Sequence, residues 1–262
     1  MSRKRSSERH ASRSGTTNEV RLTIAEHLEE LRRRLGISLV VLVVCVGITM
    51  TQVDRVIGWL RRPAGIDLPR FAYFSPTEPI IAYVKVGCLS GLVLAMPVIL
   101  WQLWGFVRSG LTWRERYYGV AFVWWGSVHF LGGVAFAYYI LLPASLRFLL
   151  GIGQRYLEPV ISIDRYLSFV TALMVSCGFV FELPILLCIL VKIGIVTPEW
   201  LRQQRPYAML ILVIAAALIT PTTDPVNLML LALPMIFLYE LSILMAGFAV
   251  PRTRHSREKA SH

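Results

Sequence analysis

Acidic residues are scarce in this chain, and several long stretches carry almost no charge. The 262 residues include 16 Asp and Glu against 27 Lys and Arg, for a formal net charge of +11. Hydrophobic residues make up 55 % of the chain, and the mean hydropathy is +0.59. This composition excludes an ordinary soluble domain and is typical of a polytopic membrane protein. Because the charges are concentrated outside the apolar runs, the positive balance requires no nucleic acid partner.

Cysteines and catalytic motifs are also few. The chain has no H-E-x-x-H, G-x-S-x-G or P-loop pattern, and His129 stands alone in an apolar run. The four cysteines lie inside apolar runs without metal-ligand spacing and are interpreted as small core hydrophobes: Cys45, Cys88, Cys177 and Cys188. The sequence therefore predicts no enzyme, no metal site and no cofactor.

Six apolar segments predict an all-α protein with six transmembrane helices. They cover residues 35–53, 80–104, 117–142, 166–194, 207–219 and 226–250. The first four have the length of about 20 residues that a helix needs to cross the hydrocarbon core. The fifth holds only thirteen residues, or about 20 Å of helix. A short spanning pair that thins the bilayer is favoured over a re-entrant hairpin, since basic segments flank both sides of the pair.

The distribution of Lys and Arg predicts the orientation. The two tails and the loops on their side hold nineteen, whereas the opposite loops hold seven. By the positive-inside rule both termini are cytoplasmic. We expect a disordered basic tail at residues 1–21, a membrane domain at 22–250, and a second basic tail at 251–262.

Glu182 is the most informative residue, because it lies in the middle of an apolar run. A charged group at the bilayer centre costs at least about 2.5–3.5 kcal/mol on insertion scales, so it usually faces protein or water. One interpretation is a protonated, structural Glu bonded to a neighbouring helix. The other is a functional group that meets a polar residue of a partner.

Two acidic residues stand out on the otherwise basic cytoplasmic face. Glu30 precedes the first span, and Glu115 lies in the loop after the second. Glu29 and Glu30 can pair locally with Arg33 and Arg34 at i,i+4 spacing. Carboxylates from two elements can instead clamp guanidinium groups, which they bind in bidentate fashion. The spacing alone does not decide between these interpretations.

The motifs in order resemble the TatC family, the multispanning receptor of the twin-arginine protein translocase. The resemblance covers about residues 22–248. It is carried by HLEELRRRL at 27–35, SPTEP at 75–79, PVILWQLWGF at 97–106, FELP at 181–184, RPY at 205–207 and TPTTD at 220–224.

The resemblance implies a concave six-helix fold with short fifth and sixth helices, in the cell inner membrane. It implies binding of Arg-Arg signal peptides from folded precursors, with TatA- and TatB-like single-span proteins as partners in a homo-oligomeric complex driven by the protonmotive force. The implied signal-peptide site contains Glu30, Leu31, Arg32, Phe106 and Glu115. The implied partner-helix contacts are Glu182, Pro184, Tyr207 and Met209. The implied structural or functional loop positions are Pro76, Pro97 and Asp224.

Two other classes are weighed against this interpretation. One is a proton- or ion-coupled small-solute transporter that uses Glu182 as a relay; such proteins commonly carry internal repeats, and none is evident here. The other is a scaffold that only organises partners. Export of a folded reporter with an Arg-Arg signal distinguishes all three.

Overall fold

Helices account for almost all of the described structure. The computed structural model describes residues 5–62, 71–107, 119–151, 160–219 and 225–249, with side chains from residue 28 onward except at 193, 227, 248 and 249. Within these ranges the one β-type contact is an isolated bridge between Ala72 and Ser162. The prediction of an all-α protein is confirmed.

Ten α-helices and one π-helical turn follow each other along the described chain. They are α1 (Arg5–Met50), α2 (Val53–Leu60), α3 (Glu78–Val107), α4 (Gly119–Phe136), the π turn (Ala137–Leu141), α5 (Leu142–Gly151), α6 (Ile163–Phe181), α7 (Leu183–Ile193), α8 (Pro198–Gln203), α9 (Arg205–Ile219) and α10 (Pro225–Ala249). Helix α1 runs from Arg5 through residue 21 without a break. The predicted boundary between the basic tail and the membrane domain at residue 21 therefore stays a prediction.

Five of the helical segments are long and apolar enough to cross a membrane, judged within the described residues. They are Leu28–Met50, Glu78–Val107, Gly119–Gly151, Ile163–Lys192 and Leu228–Gly247. The shorter apolar helix Arg205–Ile219 corresponds to the short fifth segment of the sequence. The predicted polytopic architecture is confirmed, and the fifth helix is short because Pro206 and Pro221 bound its apolar run.

Two of these segments are interrupted at prolines. The π turn precedes Pro143, which lacks an N–H and whose ring would clash with the carbonyl of Tyr139 in a regular α-helix. The predicted single segment 166–194 is divided at Glu182, two residues before Pro184. The Glu182 backbone N–H bonds Phe179 at 3.1 Å, a tight turn that closes α6.

Small residues let the helices approach closely. A methyl group at Gly91 would lie 2.7 Å from the backbone of Val46, so α1 and α3 are in direct backbone contact there. Thr49 Oγ1 also donates to the Gly87 carbonyl at 3.0 Å. A methyl group at Gly133 of α4 would lie 2.5 Å from the Cys177 carbonyl of α6. Such contacts drive packing where lipid removes the hydrophobic driving force between helices.

At the Glu78 end of the bundle, hydrogen bonds tie the connecting segments together. Ala72 pairs with the segment that precedes α6, since its N–H donates to the Ile161 carbonyl at 3.1 Å and its carbonyl accepts from the Ile163 N–H at 3.0 Å. Ser162 Oγ donates to Glu78 Oε2 at 2.9 Å. Tyr166 OH donates to the Leu60 carbonyl at 2.8 Å, which anchors α2 to α6. Hydrogen bonds therefore hold the segments at this end of the molecule together.

Candidate receptor and partner-helix sites

The first candidate site lies where α1 enters the bundle. Glu30 Oε1 accepts two hydrogen bonds from the Arg34 guanidinium, from Nε at 3.0 Å and from Nη2 at 2.6 Å. Arg34 Nη1 also reaches Gln102 Oε1 of α3 at 3.5 Å. The local i,i+4 pairing that the sequence left open is therefore present for Glu30, and it is joined to α3 through Gln102.

The close approach of α1 and α3 brings further predicted residues to this end. Gly105 lies so near the Arg34 guanidinium that a side chain at position 105 would collide with it. The half-buried Phe106 follows directly. Leu31 and Arg32 are exposed on α1 beside Glu30. Glu115 and the rest of its loop lie outside the described residues.

The second candidate site is Glu182, at the break between α6 and α7. Its Oε1 atom is buried and has no hydrogen-bond partner among the described residues. Its carboxyl group lies against Gly126 of α4, because a methyl group at Gly126 would be 3.3 Å from Glu182 Oε2. The described part of the chain thus leaves one oxygen of a buried carboxyl group unsatisfied, a state that costs free energy unless a donor is supplied.

An apolar groove of 380 Å³ lies between α3, α4, α7 and α10. On α7 the groove begins at Ile185, three residues after Glu182, and ends at Lys192. Its described lining consists of Trp104, Ala121, Phe122, Trp125, His129, Ile185, Cys188, Ile189, Lys192 and Met245. The groove therefore follows α7 from near its start to Lys192, and it also reaches Trp104 near the end of α3.

The other predicted partner-contact residues are separated in the structure. Pro184 is fully buried, so its side chain is not available to a partner, and its role is to interrupt the helix after Glu182. Tyr207 is exposed and Met209 half-buried at the start of α9. One face of α9 is apolar and exposed, through Tyr207, Leu210, Ile211, Ile214 and Leu218.

The three predicted loop positions have different surroundings, and one of them, Pro97, lies within a helix and not in a loop. Pro76 is exposed in the segment between Ser75 and Thr77, whose hydroxyl groups are 2.9 Å apart. Pro97 lies inside α3 on an exposed face. Asp224 lies outside the described residues.

Two ion pairs were not among the predicted site residues. Lys85 Nζ bonds Asp164 Oδ1 and Ser168 Oγ, each at 2.6 Å, and links α3 to α6. Arg205 Nη2 bonds Glu240 Oε2 at 2.7 Å and links α9 to α10. The signal for both was visible as a charge inside or at the border of an apolar run, but the sequence does not say which charges meet.

The described residues hold no group of three or more His, Cys, Asp or Glu side chains that could bind a metal ion. The two candidate sites contain carboxyl, guanidinium and carboxamide groups. Their chemistry is that of reversible hydrogen bonding and ion pairing.

The long apolar helices define an all-α multi-pass membrane protein, with one candidate site at the start of the first span and another at the break between α6 and α7. A family model described as Sec-independent protein translocase protein (TatC) matches residues 26–234. The chain therefore belongs to the TatC family.

Relatives and solved structures agree with this assignment. The Sec-independent protein translocase protein TatC of Koribacter versatilis (strain Ellin345) is 36 % identical over 245 residues, covering 91 % of this chain and 90 % of the relative. That of Aquifex aeolicus (strain VF5) is 37 % identical over 241 residues, covering 90 % and 98 %. A crystal structure of the twin arginine translocase receptor TatC matches with a TM-score of 0.78 at 37 % identity, covering 85 % of this chain and 99 % of that one.

These similarities confirm the TatC-like fold and support the translocase interpretation over the small-solute transporter. The chain is a multi-pass membrane protein of a translocase family.

Proposed function

We propose that this chain is the receptor subunit of a twin-arginine translocase, which binds Arg-Arg signal peptides of folded precursors at the Glu30 end. The observation that carries the proposal is the Glu30 carboxylate, which already holds a guanidinium group with two hydrogen bonds while remaining about one third exposed. A signal-peptide arginine would compete with Arg34 for the same carboxylate. Glu115 would bind the second arginine, with Leu31, Arg32 and Phe106 completing the surface.

Signal binding tests this proposal directly. Charge-assisted hydrogen bonds contribute about 1.5–3 kcal/mol each, so Glu30→Ala or Glu115→Ala should weaken binding of an Arg-Arg signal peptide roughly 10- to 100-fold. Photo-crosslinking of a radiolabelled precursor to membranes containing each variant measures the effect. Glu29→Ala is the matched control, because Glu29 is an exposed neighbour on the same helix. Wild-type export by both the Glu30 and the Glu115 variants would contradict the proposal.

The proposed receptor also recruits single-span partners of the TatA and TatB type. The unsatisfied Glu182 Oε1 supports a polar contact with one partner helix, and the exposed apolar face of α9 around Tyr207 and Met209 supports docking of another. The protonmotive force would drive transport without enzymatic turnover, in a homo-oligomeric complex of the cell inner membrane.

Glu182 substitutions separate recruitment from signal binding. Glu182→Ala should leave crosslinking to the signal peptide within about twofold, since the two sites lie in different parts of the molecule, but should reduce co-purification of TatA-like subunits and export. A lost interhelical hydrogen bond in a membrane corresponds to about a 3- to 30-fold weaker association.

The Glu182→Gln variant keeps a hydrogen-bonding group that cannot ionise. Wild-type behaviour of the Gln variant would identify a neutral polar contact, whereas failure equal to that of Ala would require ionisation. Normal export by Glu182→Ala would remove the partner contact from the mechanism.

A further inference from the structure

The groove between α3, α4, α7 and α10 has a single basic side chain at one end of an apolar wall. On α7 its lining residues are Ile185, Cys188, Ile189 and Lys192, and their spacings of three and four residues place them on one face of the helix. The first three are half-buried, and Lys192 is exposed. Among the described lining residues Lys192 is the one Lys or Arg, and none is Asp or Glu. The described lining therefore carries a positive charge without a negative one.

The helix ends show at which depth the groove opens. Lys192 is the residue before the end of α7, Trp104 lies three residues before the end of α3, and Ala121 lies two residues after the start of α4. Lys side chains near helix ends reach the headgroup region, and Trp is enriched at that level. The Lys192 end is therefore the mouth of the groove at the membrane surface.

From this mouth the groove extends inward through less than one leaflet. Ile185 lies seven residues before Lys192 on α7, and His129 lies eight residues after Ala121 on α4. Either separation corresponds to about 10–12 Å along a helix, whereas one leaflet of the hydrocarbon core is about 15 Å thick. A single-span helix needs a contact surface along the whole core, but an acyl chain that enters from the headgroup level matches the length of this groove.

We propose that the groove binds one anionic phospholipid, with an acyl chain against Ile185 and Ile189 and its phosphate group at Lys192. The charge favours this occupant, since basic pockets between transmembrane helices bind anionic headgroups. An ammonium group has three N–H donors, so a phosphate can bind beside a contact within the protein. Trp125, which lines the groove and is exposed, supplies an aromatic wall for the chain.

The lipid site is independent of the signal peptide and of Glu182. Only its assignment to the cytoplasmic leaflet rests on the orientation proposed from the Lys and Arg distribution.

Photoactivatable lipids test the site on the full-length protein in liposomes. Phosphatidylglycerol and phosphatidylcholine with the same diazirine-bearing acyl chain would be compared in otherwise identical phosphatidylcholine vesicles, and mass spectrometry would locate the crosslinked residues. Phosphatidylglycerol should label the α7 face of the groove about fivefold more than phosphatidylcholine does, the selectivity of one lysine near a membrane surface. Ile214 and Leu218, on the exposed face of α9, should be labelled equally by both lipids and are the internal reference.

The variants assign the preference to one side chain. Lys192→Met should lower phosphatidylglycerol labelling of the groove to the phosphatidylcholine level, whereas Lys192→Arg should retain the preference. Arg202→Met is the matched control, because Arg202 is an exposed basic residue of α8 that is not among the described lining residues. It should leave the preference unchanged. Unchanged labelling of the α9 reference and unchanged elution on size exclusion show that Lys192→Met is folded.

Three results would overturn the proposal. Equal labelling of the groove by both lipids in the wild-type protein, or none by either, would show that no headgroup is recognised there. A loss in Arg202→Met equal to that in Lys192→Met would assign the preference to the general surface charge. Displacement of the label by an added Leu/Ala single-span peptide would assign the groove to a helix. Signal binding through Glu30 and partner recruitment through Glu182 are measured in separate assays, so none of these results decides them.

Discussion

At the residue scale, the charged side chains within the apolar segments differ in whether other described residues of this chain provide their hydrogen-bond partners. Lys85 is satisfied, because Asp164 and Ser168 each bind its Nζ at 2.6 Å. Glu182 is not, since its Oε1 atom has no partner among the described residues. The first arrangement links α3 to α6, and the second leaves one buried carboxyl oxygen without a donor among the described residues.

A double-mutant cycle tests the structural role of Lys85. Lys85→Met or Asp164→Leu alone leaves a half-buried partner charge and should lower the free energy of unfolding by about 1–3 kcal/mol. The double variant should be more stable than the sum of the two losses predicts. Thermal unfolding in detergent, followed by size-exclusion chromatography, measures all three.

Strict additivity in this cycle would show that the ion pair contributes no coupling. The control is Arg165→Met, which removes an exposed basic side chain next to Asp164 on α6. It should change the midpoint less than Lys85→Met does.

At the element scale, backbone contact at glycines determines how the helices pack. Gly91 brings α3 against the backbone of Val46 in α1, and Gly133 brings α4 against the Cys177 carbonyl of α6. Prolines mark the breaks in two membrane segments. Pro143 follows the π turn after α4, and Pro184 lies at the start of α7, just after the break at Glu182. The helices are thus positioned by small residues and divided by prolines.

Gly91→Ala should separate α1 from α3. The added methyl group would meet the Val46 backbone at 2.7 Å, and a backbone cannot move aside as a side-chain tip can. Overpacking of this kind costs about 1–3 kcal/mol. The melting temperature in detergent and the yield of a disulfide engineered between α1 and α3 are the measurements.

Gly36→Ala is the matched control on α1, since nothing lies within 4 Å of the added methyl group. It should leave both measurements unchanged. Equal effects of the two substitutions would show that the close approach at Gly91 is not what holds α1 in place.

At the scale of the whole molecule, the candidate signal-peptide site and an ion pair of α9 and α10 lie at the end where the sequence places most basic residues. Glu30, Arg34 and Gln102 meet where α1 and α3 adjoin, and Arg205 pairs with Glu240 where α9 begins. The proposed orientation places this end in the cytoplasm, since nineteen of the 27 basic residues lie in the tails and loops on that side.

Cysteine labelling tests this orientation. Single cysteines at positions 65 and 223 should react with an impermeant maleimide added outside intact cells. Cysteines at positions 110, 203 and 256 should react only after the membrane is permeabilised. The chain without added cysteines is the control, because its four native cysteines lie within helices. Labelling of position 203 from outside would contradict the six-span topology.

The fold class and the family could be read from the sequence because both depend on local patterns. Apolar runs of membrane length predict helices, since backbone groups in lipid must bond within their own segment. The short fifth helix followed from Pro206 and Pro221, and the family from motifs in unbroken order. The division of the fourth segment at Glu182 was not predicted, although Pro184 was the signal for it.

Contacts between helices were decided only by the tertiary structure. The sequence singled out Glu30 and Glu182 as charges in costly or unusual places, because insertion energies depend on local composition. It could not show that Gln102 joins the Glu30–Arg34 pair, that Lys85 meets Asp164, or that His129 of α4 lines the same groove as Ile185 of α7. These pairings depend on how helices distant in the chain pack together, and small residues allow that packing without specifying its partners.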